Sequence, residues 1–124
     1  MKQAPDIRFI GMEPSEALTA AARDKAAKLD HFYPGLISCH VALELEHKHR
    51  RQGRPFAVRV DVTLPGHELT VSRVEHEDVY VALRDAFDDM KRQLEDKVRR
   101  MRGQEKHHEP PSGEAGPDQS GSSQ

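Results

Sequence analysis

The sequence predicts an α+β domain with the element order β-α-β-β-β-α, in which two helices pack on one face of a four-stranded sheet. Two segments alternate apolar and polar residues, which is typical of strands with one buried face. Two longer segments repeat apolar residues every three or four positions, which is typical of amphipathic helices. The chain of 124 residues is long enough for one such domain and a tail.

The first two elements are predicted to be a strand at Asp6–Gly11 and a helix that continues to about His31. Ser15 is a suitable N-cap, because its hydroxyl can accept a hydrogen bond from a free N–H of the first helical turn. A Pro-Gly pair follows Tyr33 and ends the helix. The expected apolar stripe consists of Leu18, Ala22, Ala26, Leu29 and Phe32.

Three further strands are predicted, and Ile37–Glu46 shows the clearest alternation. Phe56–Leu64 follows, and Pro65-Gly66-His67 reverses the chain into a hairpin with Glu68–Val74. We expect the sheet face away from the helices to be polar and open to water. It should carry His40, Glu44, Arg59, Asp61, Thr63 and Thr70. Glu46 falls on the polar side of the alternation in Ile37–Glu46.

Asp78 is expected to open the last and longest helix. Its predicted buried stripe consists of Val79, Leu83, Phe87, Met90, Leu94, Val98 and Met101. The domain is expected to occupy residues 1–102. Residues 103–124 contain no Leu, Ile, Val, Phe or Met and are rich in Gly, Pro and Ser, so they are predicted to form a disordered polar tail.

The charge balance argues against a generic polybasic nucleic-acid binder. The formal net charge is −2, and residues 1–102 hold 18 Lys and Arg against 17 Asp and Glu. A nucleic-acid face would therefore have to arise from local clustering. The N-terminal residues lack the apolar region of a secretory signal, and the chain has no apolar run long enough to span a bilayer. We expect a cytoplasmic protein without a membrane partner.

Lysines and arginines form the candidate RNA-binding set, because pairing with phosphates releases counterions and supplies sequence-independent affinity. The predicted helices contribute Lys25, Lys28, Arg84, Lys91, Arg92, Arg99 and Arg102. The loop between the second and third strands contributes Lys48, Arg50, Arg51 and Arg54, with no acidic residue between them. The alternative for the helices is a solvated face with ion pairs such as Glu95–Arg99 and Asp96–Arg100. The alternative for the loop is an ordinary exposed loop kept soluble by its charge.

Other residue types give weaker functional signals. His47 and His49 could hold zinc, but no helical His pair or companion cysteine supports them, so neither a metal site nor a cofactor is predicted. Partly protonated histidines could instead tighten RNA binding at low pH. Tyr33 and Tyr80 could stack on bases, although packing is favoured for both. Cys39, which cannot form an internal disulfide, is expected to be a small core residue.

Catalysis finds little support in the sequence. The chain has no Gly-rich phosphate loop, no Gly-x-Ser-x-Gly elbow and no Cys–His signature, so it is not predicted to be an enzyme. Glu44 and Asp61 are interpreted as cross-strand charge partners of His40 and Arg59 rather than as an acid–base pair.

Two motifs resemble the short ribosome hibernation factors, also called sigma-modulation proteins, which include the hibernation promoting factor and ribosome-associated inhibitor A. The first helix matches at Glu16-Ala17-Leu18, Lys25, Lys28, Leu29 and Phe32. The last helix matches at Asp78, Tyr80, Ala82, Leu83 and Arg92-Gln93-Leu94. The resemblance covers roughly residues 6–102, and the predicted layout is similar to that of double-stranded RNA-binding domains. The chain departs from the family pattern at Arg84, where an acid is usual, and at Asp89 and Asp96, where lysines are usual.

The resemblance implies a protein that binds the rRNA of the small ribosomal subunit near the decoding channel and keeps idle ribosomes silent or stable. We expect a monomer that does not bind DNA. Because only a polar tail stands where longer relatives carry a second domain, we do not expect it to pair ribosomes. The alternative is a protein–protein interaction module that uses the charged last helix without binding ribosomes.

Overall fold

The structure, a computed structural model, describes residues 1–46 and 55–107. It divides into two compact units, Met1–Gln93 and a second unit that begins at Leu94. The histidines at 47 and 49 and four predicted RNA-binding residues lie outside the described residues: Lys48, Arg50, Arg51 and Arg54. Residues 108–124 of the predicted tail also lie outside them. No helix in the described ranges is long and apolar enough to cross a membrane.

The predicted element order β-α-β-β-β-α is confirmed. The elements are β1 (Asp6–Ile10), α1 (Glu16–Phe32), β2 (Ser38–Leu45), β3 (Phe56–Leu64), β4 (His67–His76) and α2 (Val79–His107). The first unit holds the sheet, α1 and the first part of α2.

Helix α2 extends to His107, five residues past the predicted end of the domain at residue 102. The division into a domain at 1–102 and a disordered polar tail at 103–124 stays a prediction. A glycine lowers helix stability by about 1 kcal/mol but keeps its backbone N–H, so it weakens a helix without ending it. The first residue after Gly103 that cannot continue a helix is Pro110.

The four strands lie in the order β1-β2-β3-β4 and form one mixed sheet. β1 pairs with β2 in parallel, while β2 with β3 and β3 with β4 are antiparallel. The register places Asp6, His40, Asp61 and Thr70 in one row across all four strands. The β3–β4 reversal has Gly66 at φ +77°, a conformation that glycine adopts without steric cost.

Side chains cap both helices as the sequence predicts. The Ser15 hydroxyl accepts a hydrogen bond from the N–H of Leu18 at 3.1 Å. An Asp78 carboxylate oxygen accepts one from the N–H of Tyr80 at 2.9 Å. These acceptors satisfy backbone donors that have no partner within the helix, which fixes where α1 and α2 begin.

The core of the first unit lies between the sheet and the two helices and is aliphatic, as predicted. Its buried side chains include Leu18, Ala22, Ala26, Leu29, Cys39, Val41, Leu43, Val58, Val60, Val62, Leu64, Leu83 and Met90. Two aromatic predictions are wrong, because Phe32 is 40% exposed and Tyr80 is 48% exposed. Phe32 is the last residue of α1 and Tyr80 stands in the first turn of α2. Helix ends are where an apolar stripe can extend beyond the layer that covers it.

Cys39 is buried within β2, as predicted, and burial raises the pKa of its thiol to about 12, with a smaller contribution from the Asp61 carboxylate. The folded protein therefore keeps the thiol protonated while the unfolded chain ionises near pH 9. The contribution of this thiol to the free energy of unfolding is therefore fully present below pH 9. It is lost as the pH rises from 9 toward 12, because the unfolded chain ionises first.

We predict that Cys39 reacts with a thiol reagent at pH 8 at least about tenfold more slowly in the folded protein than in urea, because the thiolate is the reactive form. Spectrophotometric labelling under both conditions measures the difference. Equal rates would contradict the burial of this thiol.

Candidate nucleic-acid interface

A groove between α1 and the first part of α2 brings together three of the predicted RNA-binding cations. Its volume is about 210 Å³. The lining consists of Lys25, Lys28, Leu29, Phe32, Phe87, Asp88 and Lys91. Leu29 and Phe87 are buried and form an apolar base, whereas Phe32 and the side chains of Lys28 and Lys91 are exposed around it. The groove therefore combines an apolar base with a cationic rim.

Helical spacing explains why these residues meet. Lys25, Lys28 and Phe32 are separated by three and four positions, so they share one side of α1. Phe87 and Lys91 are four positions apart and share one side of α2. Because Leu29 and Phe87 are buried on these sides, the lysines beside them lie along the boundary between core and water.

The groove has a surplus of positive charge, since three ammonium groups face one carboxylate, that of Asp88. Among the described residues, neither Lys25 nor Lys91 forms an ion pair. Lys28 lies 3.2 Å from the Asp24 carboxylate, with both side chains exposed. Exposed pairs of this kind contribute about 0–1 kcal/mol, so Lys28 can exchange Asp24 for another anion at small cost.

Lys91 also interacts with the aromatic ring of the groove. Its ammonium nitrogen lies 5.4 Å from the centroid of the Phe32 ring, within the range of a cation–π interaction. The exposed ring thus carries a cation from the opposite helix. The sequence did not indicate this contact, because Phe32 was predicted to belong to the buried stripe of α1.

The first unit has two other predicted helical cations, Arg84 and Arg92. They do not line the groove, and nearby carboxylates pair with them. Arg84 lies 3.1 Å from Asp85. Arg92 pairs with Asp89, one of the two acids that stand where the resemblance implies lysines. All four side chains are at least partly exposed. This is the solvated, ion-paired face that the sequence left as an alternative.

Arg99 and Arg102 belong to the second unit, on the later part of α2. The predicted Asp96–Arg100 pair is present at 3.1 Å. The predicted Glu95–Arg99 pair is wrong, because Arg99 lies 3.5 Å from Asp96 instead. Asp96 therefore partly neutralises two arginines at once.

The open face of the sheet is polar, as predicted, but two of its charge partners differ from the prediction. His40 lies 3.3 Å from Asp6 on β1 rather than pairing with Glu44. The hydrogen bond with His40, with help from Arg8, lowers the pKa of the Asp6 carboxyl. Arg59 donates to Asp61 at 3.0 Å, but the two residues stand on the same strand.

Nowhere in residues 1–46 and 55–107 do three His, Cys, Asp or Glu side chains come together in a way that could hold an ion.

A buried ion pair at the end of β2 was not predicted. Glu46 follows the last residue of β2, and its side chain is only 5% exposed, although the alternation placed it on the wet face. Its carboxylate pairs with Arg73 of β4. Arg73 also lies 2.6 Å from Glu75 and 3.8 Å from Glu44. One arginine therefore gathers three carboxylates at this corner of the sheet.

Two solved structures have a fold similar to that of this chain. The chain is similar to a ribosomal subunit interface protein from Coxiella burnetii, with a TM-score of 0.64 and 17% identity. The match covers 76% of this chain and 96% of that chain. It is also similar to the N-terminal domain of Thermus thermophilus Protein Y, with a TM-score of 0.58 and 29% identity. The match covers 72% of this chain and 94% of that chain. The first likeness shows the fold alone, since identity is low.

A search of curated proteins by sequence finds no match. A protein family, by contrast, matches residues 6–102, which span the sheet, α1 and most of α2. This agrees with the resemblance noted from the two helix motifs. The chain belongs to the family described as Sigma 54 modulation protein / S30EA ribosomal protein.

Proposed function

We propose that this protein binds the rRNA of the small ribosomal subunit near the decoding channel and keeps idle ribosomes silent or stable. Membership of the S30EA family supports an association with the ribosome, as does the likeness to a ribosomal subunit interface protein. The observation that carries the proposal is the cationic groove. Lys25, Lys28 and Lys91 surround it, and two of them have no carboxylate partner among the described residues.

The proposed mechanism is docking followed by steric occupancy, with no chemical step. Lysine ammonium groups pair with RNA phosphates and release the counterions that the phosphates had condensed. A small domain reads the shape and backbone of folded RNA more readily than its sequence. Once docked, the domain fills the space that messenger and transfer RNA need. Such a protein acts in the cytoplasm as a monomer, and it needs no cofactor.

Arginines outside the groove have a secondary role in this proposal. Arg84, Arg92 and Arg99 already pair with exposed carboxylates. Exposed pairs are weak, so a phosphate can replace the carboxylate, but the displaced acid stays nearby and repels it. Asp89 and Asp96 thus reduce the contribution of α2. The RNA affinity should rest mainly on the groove, with Arg102 and the cations among residues 48–54 as additional contacts.

Binding to ribosomes should depend on salt. If the three groove lysines each neutralise one phosphate, the affinity should fall by roughly 20- to 40-fold between 50 and 200 mM salt, following about 0.7–0.9 released ions per contact. Sedimentation of the purified protein with ribosomes through sucrose at several salt concentrations measures this slope.

The same experiment tests the alternative. Co-migration that is lost as salt rises supports RNA docking. No co-migration at any salt concentration would overturn the proposal and favour a protein–protein module that uses the charged last helix. A salt-independent association would also argue against phosphate pairing.

A further inference from the structure

We infer that the groove between α1 and α2 receives one unpaired base of an RNA strand against the ring of Phe32, while the surrounding lysines hold the adjoining phosphates. This inference rests on the proposed function and adds the kind of nucleotide that the groove takes. It treats the site as a base pocket rather than as a patch of positive charge.

The exposed ring is the first reason. Phe32 is 40% exposed although it borders an apolar base formed by Leu29 and Phe87. Bases of single-stranded RNA that are splayed out of a helix stack on such aromatic rings. The ring face is already attractive to an ammonium group, that of Lys91 at 5.4 Å. Base stacking is generally a stronger contact than a cation–π contact at an exposed site, so a base can displace this ammonium.

Charge complementarity is the second reason. When a base displaces Lys91 from the ring, the Lys91 ammonium group remains at the rim with the ammonium groups of Lys25 and Lys28. A base in an RNA strand is flanked by phosphates that need such partners. Lys28 can leave Asp24, because both side chains of that pair are mostly exposed to water. An apolar ligand would leave these three ammonium groups unused, and a simple anion would leave the ring unused.

The size of the groove is the third reason. At about 210 Å³ it lies below the range of roughly 300–1,000 Å³ that is typical of pockets for drug-sized ligands. A groove of this size suits one aromatic base. The single carboxylate in the lining, that of Asp88, can accept a hydrogen bond from an amino or imino group on the edge of the base.

The test compares two labelled probes in fluorescence anisotropy at low salt: an oligouridine, and an oligomer with the same backbone but no bases. Wild-type protein should bind the oligouridine about tenfold more tightly than the abasic strand, given the usual contribution of one stacked base. Phe32→Leu keeps an apolar side chain but removes the ring, so it should bind both strands with the affinity that the wild type shows for the abasic strand.

The matched control is Tyr80→Leu. Tyr80 is an aromatic residue of similar exposure that does not line the groove. This variant should retain the tenfold preference. Equal binding of both strands by the wild type, or an unchanged preference in Phe32→Leu, would overturn the base pocket.

Sedimentation with ribosomes separates the two proposals. If the wild type sediments with ribosomes and Phe32→Leu does so equally well, the ribosome proposal stands and the base pocket is overturned for that complex. If the wild type does not sediment with ribosomes but prefers oligouridine through Phe32, the base pocket stands and the ribosome proposal falls.

Discussion

Reversing two charges in the groove, Lys25→Glu with Lys28→Glu, should abolish ribosome association. A charge-assisted hydrogen bond contributes about 1.5–3 kcal/mol, so two lost phosphate contacts alone weaken binding by roughly 10²- to 10⁴-fold. The new carboxylates also repel phosphates. Quantitative co-sedimentation at 100 mM salt measures the effect. Both positions stand on the surface of α1, where Glu is as good a helix former as Lys, so the fold should persist.

A control with the same change in net charge distinguishes the groove from overall electrostatics. Arg8→Glu with Arg59→Glu reverses two exposed arginines on the open face of the sheet. Long-range attraction between the whole protein and the ribosome should weaken equally in the two double variants. Only the groove variant loses direct contacts. Similar losses in both variants would mean that no particular surface docks, and the proposed interface would then be wrong.

The periodicity of the sequence predicted the elements well because it reports which residues face the core. Alternation identified β2 and β3, and the caps at Ser15 and Asp78 marked the first turns of both helices. These features depend on a few neighbouring residues. The turn at Gly66 likewise indicated that β3 and β4 pair as a hairpin.

The groove could be predicted only in part. Spacing placed Lys25 and Lys28 on one side of α1, and it did not show that Lys91 of α2 would lie across from them. How far a helix end extends beyond the sheet depends on the packing of distant elements, and for this reason Phe32 was wrongly assigned to the core. The ion pairs of α2 could also be predicted only in part. Whether Arg99 pairs with Asp96 or with Glu95 depends on side-chain geometry that helical spacing does not resolve.

Because Arg73 pairs with the buried Glu46, replacing Arg73 should destabilise the fold more than replacing any other exposed arginine of the first unit. Arg73→Ala leaves the Glu46 carboxylate buried without its partner, and an unpaired buried charge costs several kcal/mol. Arg73 is itself about half exposed, so water can partly replace it. We therefore expect the free energy of unfolding to fall by about 2–3 kcal/mol, measured by urea denaturation.

Arg59→Ala is the matched control, because Arg59 is similarly exposed on the same sheet but pairs with Asp61, which is also exposed. It should cost less than about 1 kcal/mol. Adding Glu46→Gln to Arg73→Ala should recover part of the loss, since a neutral amide is less costly to bury than an unpaired carboxylate. The contrast isolates burial as the cause: the two arginines differ mainly in whether water can reach the carboxylate that each one neutralises. Equal losses for Arg73→Ala and Arg59→Ala, without recovery in the double variant, would show that Glu46 is hydrated in solution.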